Sequence, residues 1–448
     1  MKALLTTSAP PVKSPFFTGE KRPPLGVGTL ISMTREAGHD VEFIDNYLER
    51  SNFELDGYLI KNNIDIVGIY SNTICFQDTL RMLRGIQHLR DEGIWDGEIA
   101  VGGPHTSVRP DTIPDYVDYV VLGEGEMAWL DILGGNAVTG TLKYPRLKDL
   151  DVLPFQPWDL FVEKPYDWTC SWMDGGTPVF TMNTSRGCPF NCGFCSVGSI
   201  WGSRYTAMSA RRVVDEIEFL VENHGAKGIY FREDNFTLNR KRTNEFCKLM
   251  EERGLQDIQW ACETRVDNMT MGMVRRMAKA GCRAFYLGVE SGSDKMLKAV
   301  NKNINVSQIR DMIVWGKMFG INSYASLITG VPGETIDDFL ETEKLMMDLD
   351  PHEWGYNVFV GIPYSDLYHE AVTNGHVEHT DDNGLIYPPG YDVKARFFYG
   401  KDAGGLVDHE FTQRTQFDTD LIRLRLWWRF HKWYRWARRT YRNVMGAQ

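Results

Sequence analysis

The 448-residue chain has no run of about 18 apolar residues, the length a helix needs to cross a bilayer. Its first residues, MKALLTTSAPPVKSPF, lack the apolar stretch of a secretion signal, so a cytoplasmic location is expected. Cysteine is scarce. The chain has eight, spread unevenly, which is too few for a disulfide framework in a protein of this size. The formal net charge of −11 argues against a nucleic-acid-binding surface over the whole protein, so no nucleic-acid partner is expected. The remaining composition, 43% hydrophobic and 24% charged, is that of an ordinary globular protein. At this length one hydrophobic core does not suffice, and two domains with an appendage are expected.

Residues 1–135 alternate short apolar strands (LLTT, then 41–45, 64–70, 98–103 and 119–123) with amphipathic stretches such as 77–93. Such alternation predicts an α/β domain with a parallel sheet and crossover helices, Rossmann-like in type. Residues 136–176 read as a connector, ordered because Trp158, Trp168 and their neighbours need burial. A second alternation covers 177–375, with strands at 178–184, 228–231, 258–264, 284–290, 324–330 and 356–361 and helices at 209–223, 241–253, 306–319 and 336–348. Six strand–helix units predict a partial barrel, whose strand-end loops (TSRGC, REDNF, TRVD, SGSD, VPGET, IPYSD) line one face. Residues 376–448 form a C-terminal extension.

Three of the eight thiols crowd into SRGCPFNCGFC, where Cys188, Cys192 and Cys195 follow the first barrel strand with Cys-x3-Cys-x2-Cys spacing. Three thiolates can hold three irons of a [4Fe-4S] cube and leave the fourth iron open to a ligand. A structural zinc site would want a fourth Cys or His in tetrahedral spacing, and the nearest histidine, His224, lies well downstream on a predicted helix. A purely structural trio in an exposed loop would be an oxidation liability. Cys75, Cys170, Cys247, Cys262 and Cys282 read as packing residues.

With this motif, Phe194 just before the last cysteine and a barrel behind it, the chain resembles the radical S-adenosylmethionine (SAM) superfamily from about 178 to 375. The resemblance implies that the open iron is chelated by SAM. One electron then cleaves SAM to methionine and a 5′-deoxyadenosyl radical, chemistry carried by the cofactors. It also implies SAM contacts: Phe194 beside the cluster, Glu233 and Asp234 near the ammonium, Thr264 and Arg265 near the carboxylate, Glu290 and Ser291 near the ribose, and Gly330 of ITGVPGET near the adenine. Taken singly, each of these is equally a helix cap or a salt bridge; together they favour SAM. One loop departs from the family: the usual Pro-x-Pro-Gly-Thr is here IPYSDLY (362–368), on the substrate side.

In the first domain PPLGVGTLISMTREAGHDVEFID, DIVGIYSNT, VGGPHTS and VVLGEGE resemble the cobalamin-binding domain that precedes many radical SAM barrels. By that resemblance Pro24, Leu25, Gly26, Gly28, Ser71, Thr73, Gly103, Pro104, His105 and Glu124 are cobalamin contacts, the glycines letting backbone approach a large planar ligand at a switch point of the sheet. Asp-x-His-x-x-Gly, whose histidine ligates cobalt in classical cobalamin domains, is absent from residues 1–135. The expected function is a radical SAM enzyme acting on a small-molecule or lipid-like substrate, with cobalamin relaying a methyl group to an unactivated centre. The alternatives are a cobalamin-independent rearrangement, cyclisation or dehydration with the first domain as scaffold, and a non-catalytic Fe–S or cobalamin carrier. A reducing partner such as flavodoxin or ferredoxin is implied. Methylthiotransferases carry three further cysteines in their N-terminal domain, and residues 1–135 contain only Cys75.

From 421 to 448 there are eight Lys or Arg and no acid. Within 421–443 Leu424, Trp427, Phe430, Tyr434, Ala437 and Tyr441 recur at three- and four-residue steps, an aromatic stripe with the basic residues largely off it. Such a helix either docks on its own acidic protein or lies at the inner membrane surface as a peripheral contact.

Overall fold

The computed structural model describes residues 1–9, 20–49, 55–173, 175–359, 361, 365–373, 379–380, 386–387 and 397–399. Residues 362–364 of the IPYSDLY loop and the whole basic stretch 421–443 lie outside the described residues.

Six parallel strands form the first sheet: β1 (Lys2–Thr7), β2 (Asp40–Ile44), β3 (Ile66–Tyr70), β4 (Glu98–Gly102), β5 (Tyr119–Leu122) and β6 (Gly140–Lys143), in the order β2-β1-β3-β4-β5-β6. Alternate strand residues serve opposite faces, as the two-residue period of a strand requires. Leu5, Ile66, Ala100 and Val121 join one core, with Val27 and Ile31 of helix Leu25–Glu36 and Trp129 of helix Glu126–Leu133. Leu4, Val67, Ile99 and Val101 join the other, with Leu59 of helix Leu55–Asn62 and Leu83 and Ile86 of helix Phe76–Asp91. Both faces are therefore covered, which is why the strands read as nearly unbroken apolar runs. The chain reverses direction across the sheet at β1, between β2 and β3, and opens a crevice at the carboxyl ends of the strands.

The connector is more regular than its sequence implies, since it supplies β6 to the sheet. Its aromatics are buried as expected: Trp158 and Phe161 of helix Trp158–Val162 pack edge-to-face with each other, and Trp158 also with Phe180 of the barrel. Trp158 Nε1 donates to Glu216 at 2.9 Å and the Tyr166 hydroxyl to Asp45 at 2.7 Å, so the polar tips are satisfied as well. One apolar cluster consequently runs through both domains.

The barrel strands are β7 (Val179–Met182), β10 (Gly228–Phe231), β11 (Gln259–Arg265), β12 (Cys282–Glu290), β13 (Asn322–Thr329) and β14 (Glu353–Val358), six in parallel as the alternation predicts. β8 (Ser185–Arg186) and β9 (Thr206–Ala207) pair antiparallel at the mouth, and β15 (His379–Thr380) pairs with β16 (Ile386–Tyr387). An antiparallel strand, β17 (Phe397–Tyr399), adds to β14 at the edge. Ser209 and Asn305 cap the helices Ala210–His224 and Val306–Met318 with their side chains, and Asn305 and Gln308 form a capping box.

Candidate functional site

Cys188, Cys192 and Cys195 follow β8 in one loop, all half-buried, whereas the other five cysteines are fully buried. Segment 300–302 clamps this loop: the Val300 carbonyl accepts from Gly193 N at 2.9 Å, and Asn301 Nδ2 donates to the Asn191 carbonyl at 2.5 Å. Arg265 holds it from the end of β11. Its guanidinium lies 3.8 Å over the Phe190 ring and donates to Cys192 Sγ at 3.3 Å, to Asp267 at 2.9 and 3.0 Å, and to the Lys302 carbonyl at 2.6 Å. Burial pushes the Cys195 thiol up to about 11 and shifts Cys188 in the same direction, so iron ligation is coupled to proton loss. Among the described residues no three Cys, His, Asp or Glu groups converge on a single metal ion. In a cube each thiolate takes its own iron, so three thiols on one loop, with no fourth protein ligand among the described residues, fit a cluster better than a mononuclear ion.

The strand-end residues expected around SAM surround this loop in different ways. Glu233 is buried, accepts from Thr184 N at 2.7 Å and pairs with Arg242 at 3.9 Å. Asp234 faces the cavity beside the thiols, accepts from Gly187 N at 3.1 Å, and is raised in pKa by burial. Thr264 is buried in a hydroxyl network with Thr237 and Asn235. Glu290, at φ +63°, forms a buried ion pair with Lys302 at 2.7 Å, and Lys302 Nζ lies 5.6 Å over the Phe194 ring. Ser291 bonds Thr342 at 3.2 Å. Gly330, at φ +77°, donates its amide to Glu334, whose carboxyl burial raises to about 7. Arg265, Glu290 and Lys302 thus act on the cluster loop itself.

At the carboxyl ends of β1, β3, β4 and β5 lies a crevice of about 300 Å³ that opens to solvent. Of the residues expected there, Pro24, Leu25, Gly26, Gly103, Pro104 and Glu124 line it. Gly28, Ser71, Thr73 and His105 are not among the lining residues. Gly28 is packed so tightly that a Cβ would lie 2.2 Å from Gln156 Oε1, and Ser71 is bonded to Thr79. His105 is buried, stacked 3.8 Å from Phe76, with its ring nitrogens 3.2 Å from Thr73 and 3.1 Å from Thr112. Burial lowers it to about 4, so it is neutral and internally engaged.

The crevice fits a corrinoid on two observations. A Cβ added at Gly26 or Gly123 would meet nothing within 4 Å, so these backbones leave room that a side chain would fill. Glu126 Oε2 and Gln156 Oε1, both on the wall, are buried acceptors without partners, matched to the amide N–H donors around a corrin ring. The pattern Asp-x-His-x-x-Gly does occur once, at Asp350–Gly355, but on the turn entering β14, the opposite end of the barrel strands from the cluster loop.

An ion-pair network that sequence reasoning missed joins the two sites. Arg186, two residues before Cys188, pairs with Glu126 and lies 3.5 Å from Glu124, while Arg146 of the connector pairs with Glu124 at 3.2 Å. Both guanidiniums sit on the Trp201 ring, at 5.4 and 5.9 Å. Asn183, Arg186 and Trp201 line both the crevice and a second cavity of about 240 Å³ in the barrel mouth. The one available sequence signal was the arginine in SRGC, whose partners are some 60 residues away and invisible to local reading.

Profiles of two families match the chain: the radical SAM superfamily over residues 182–346 and the B12 binding domain over 18–133. An uncharacterized methyltransferase of Pyrococcus horikoshii is 32% identical over 398 residues, 84% of each chain. An anaerobic magnesium-protoporphyrin IX monomethyl ester cyclase of Cereibacter sphaeroides is 27% identical over 78% of this chain and 60% of its own length. The solved radical SAM methyltransferase TsrM of Kitasatospora setae, with tryptophan and a SAM analogue bound, shares the fold at a TM-score of 0.68 and 17% identity, over 85% of this chain and 77% of that one. The chain belongs to the radical SAM superfamily, in its branch with an N-terminal B12 binding domain that includes methyltransferases and cyclases, and its cofactors are a [4Fe-4S] cluster, SAM and cobalamin.

Proposed function

We propose that the chain is a cobalamin-dependent methyltransferase acting on an unactivated centre of a small molecule. When bound, the cluster supplies an electron, SAM the methyl and adenosyl groups, and cobalamin a methyl carrier. The observation that carries this reading is the wall shared by crevice and barrel cavity, Asn183, Arg186 and Trp201, which puts the two cavities side by side with one layer of side chains common to both. Cys188, Cys192 and Cys195 would hold the cluster, Arg265 and segment 300–302 keep their loop in place, and Asp234 presents a carboxylate to the cavity. Glu124 and Glu126, bound to Arg146 and Arg186, hold the two domains in register, so crevice and cavity stay adjacent. A flavodoxin- or ferredoxin-type donor is the proposed electron source.

The cyclase relative favours a second reading, in which SAM is used only as a radical source. The two differ in by-product. Anaerobically reconstituted protein with hydroxocobalamin, reductant and SAM is expected to form S-adenosylhomocysteine as well as 5′-deoxyadenosine. 5′-Deoxyadenosine alone, at the same rate with and without cobalamin, refutes the methyl-transfer reading.

A further inference from the structure

The barrel-mouth cavity is lined by polar groups, among them Asp234, Arg232 and Glu263, and the last two belong to no SAM or cluster position identified above. Arg232, one residue past β10, differs from every other arginine around the cleft. Arg146, Arg186, Arg242 and Arg265 each hold a partner at 3.2 Å or less. Among the described residues the Arg232 side chain has only long contacts, 3.5 Å to Glu20 and 4.0 Å to Glu263, and it is 49% exposed. Its fork of N–H donors therefore faces the cavity with hydrogen-bonding capacity to spare. Glu263, on β11 beside it, is fixed by the Tyr230 hydroxyl at 2.5 Å.

We propose that Arg232 seats an oxyanion of the substrate, a carboxylate or phosphoryl group, with Glu263 alongside, so that the rest of the substrate points toward the wall shared with the crevice. The guanidinium fork matches a two-oxygen anion bidentately. Burial raises the Glu263 carboxyl to about 7, so near neutrality a sizeable fraction of it is protonated, which lessens its repulsion of the anion and lets that fraction donate to it. Asp234 is turned to the Gly187 amide at 3.1 Å. The resulting specificity is for small polar acids and against wholly apolar substrates. The proposal rests on the methyl-transfer reading only for what happens at the substrate's other end.

The test is saturation-transfer NMR on the reconstituted holoenzyme with three methyl-bearing probes: acetate, methylphosphonate and methylammonium. Saturable transfer to acetate or methylphosphonate is expected, and whichever binds more tightly distinguishes a carboxylate from a phosphoryl site. Arg232→Met is expected to weaken it about tenfold, the loss of one charge-assisted contact, and Arg232→Lys to retain part of it. Equal transfer in wild type and Arg232→Met, transfer to methylammonium alone, or loss of anion binding on adding SAM would each overturn the proposal, the last by giving Arg232 to the SAM carboxylate. Iron content and 5′-deoxyadenosine yield of both variants check that the cluster site is intact. Absence of S-adenosylhomocysteine from wild type sinks the methyl-transfer reading and leaves the anion site standing.

Discussion

Replacing Lys302 by Met tests how the cluster loop is held. Lys302 and Glu290 form an ion pair at 2.7 Å with side chains 7% and 8% exposed, and Gly288 makes the room: a Cβ there would lie 2.7 Å from Glu290 Oε1 and 2.8 Å from Lys302 Nζ. Removing one partner of such a pair strands a buried carboxylate and costs about 3–5 kcal/mol. Losing the ammonium over Phe194 adds roughly 0.5–1 kcal/mol. Stability is expected to fall by about 4 kcal/mol, read by urea unfolding through tryptophan fluorescence. Iron per chain should fall with it, because the neighbouring residues Val300 and Asn301 grip the loop that carries the thiols. The double variant Glu290→Gln/Lys302→Met removes the stranded charge and should recover at least about 2 kcal/mol, the coupling of a contacting pair. A loss below about 1 kcal/mol with full iron, or strictly additive single and double variants, refutes the clamp.

Ala at Cys188, Cys192 or Cys195 is expected to abolish anaerobic 5′-deoxyadenosine formation; undiminished yield from any one removes that thiol from the ligand set. Gly26→Leu, on a helix and directed into open crevice, should leave thermal stability within about 1 kcal/mol yet cut retention of hydroxocobalamin after desalting at least about tenfold. His105 has its folded pKa lowered to about 4 from near 6.5. Below pH 6.5 the unfolded chain takes up a proton that the folded one refuses, so stability is full above 6.5 and is lost as pH falls towards 4, by at most about 3 kcal/mol. His105→Gln should flatten that slope in urea titrations at pH 5 and 7. Liposome flotation with and without residues 421–448 tests the basic aromatic stretch: binding of the intact chain to anionic vesicles at low salt, abolished by truncation, is the outcome expected of an interfacial helix. No flotation refutes it.

The order of elements and the chemistry of the cluster loop were legible along the chain, because both are local. A two-residue or 3.6-residue apolar period reports each strand and helix, and Cys-x3-Cys-x2-Cys needs only one loop to bring three thiols together. The glycines at strand ends were legible for the same reason, and Gly26 and Gly103 do stand at the crevice. Only the tertiary structure decided which polar groups have something left to offer. Arg265 and Glu290 read as ligand-binding residues, yet their charges are engaged by Asp267, Cys192 and Lys302. His105 stands in a glycine-rich loop but is enclosed by Phe76, Thr73 and Thr112. Arg232 stands in the REDNF loop with no role assigned to it and Glu263 in no motif, and both face the cavity. A charged side chain's availability depends on partners tens of residues away, which folding brings within a few ångströms and which no local pattern records.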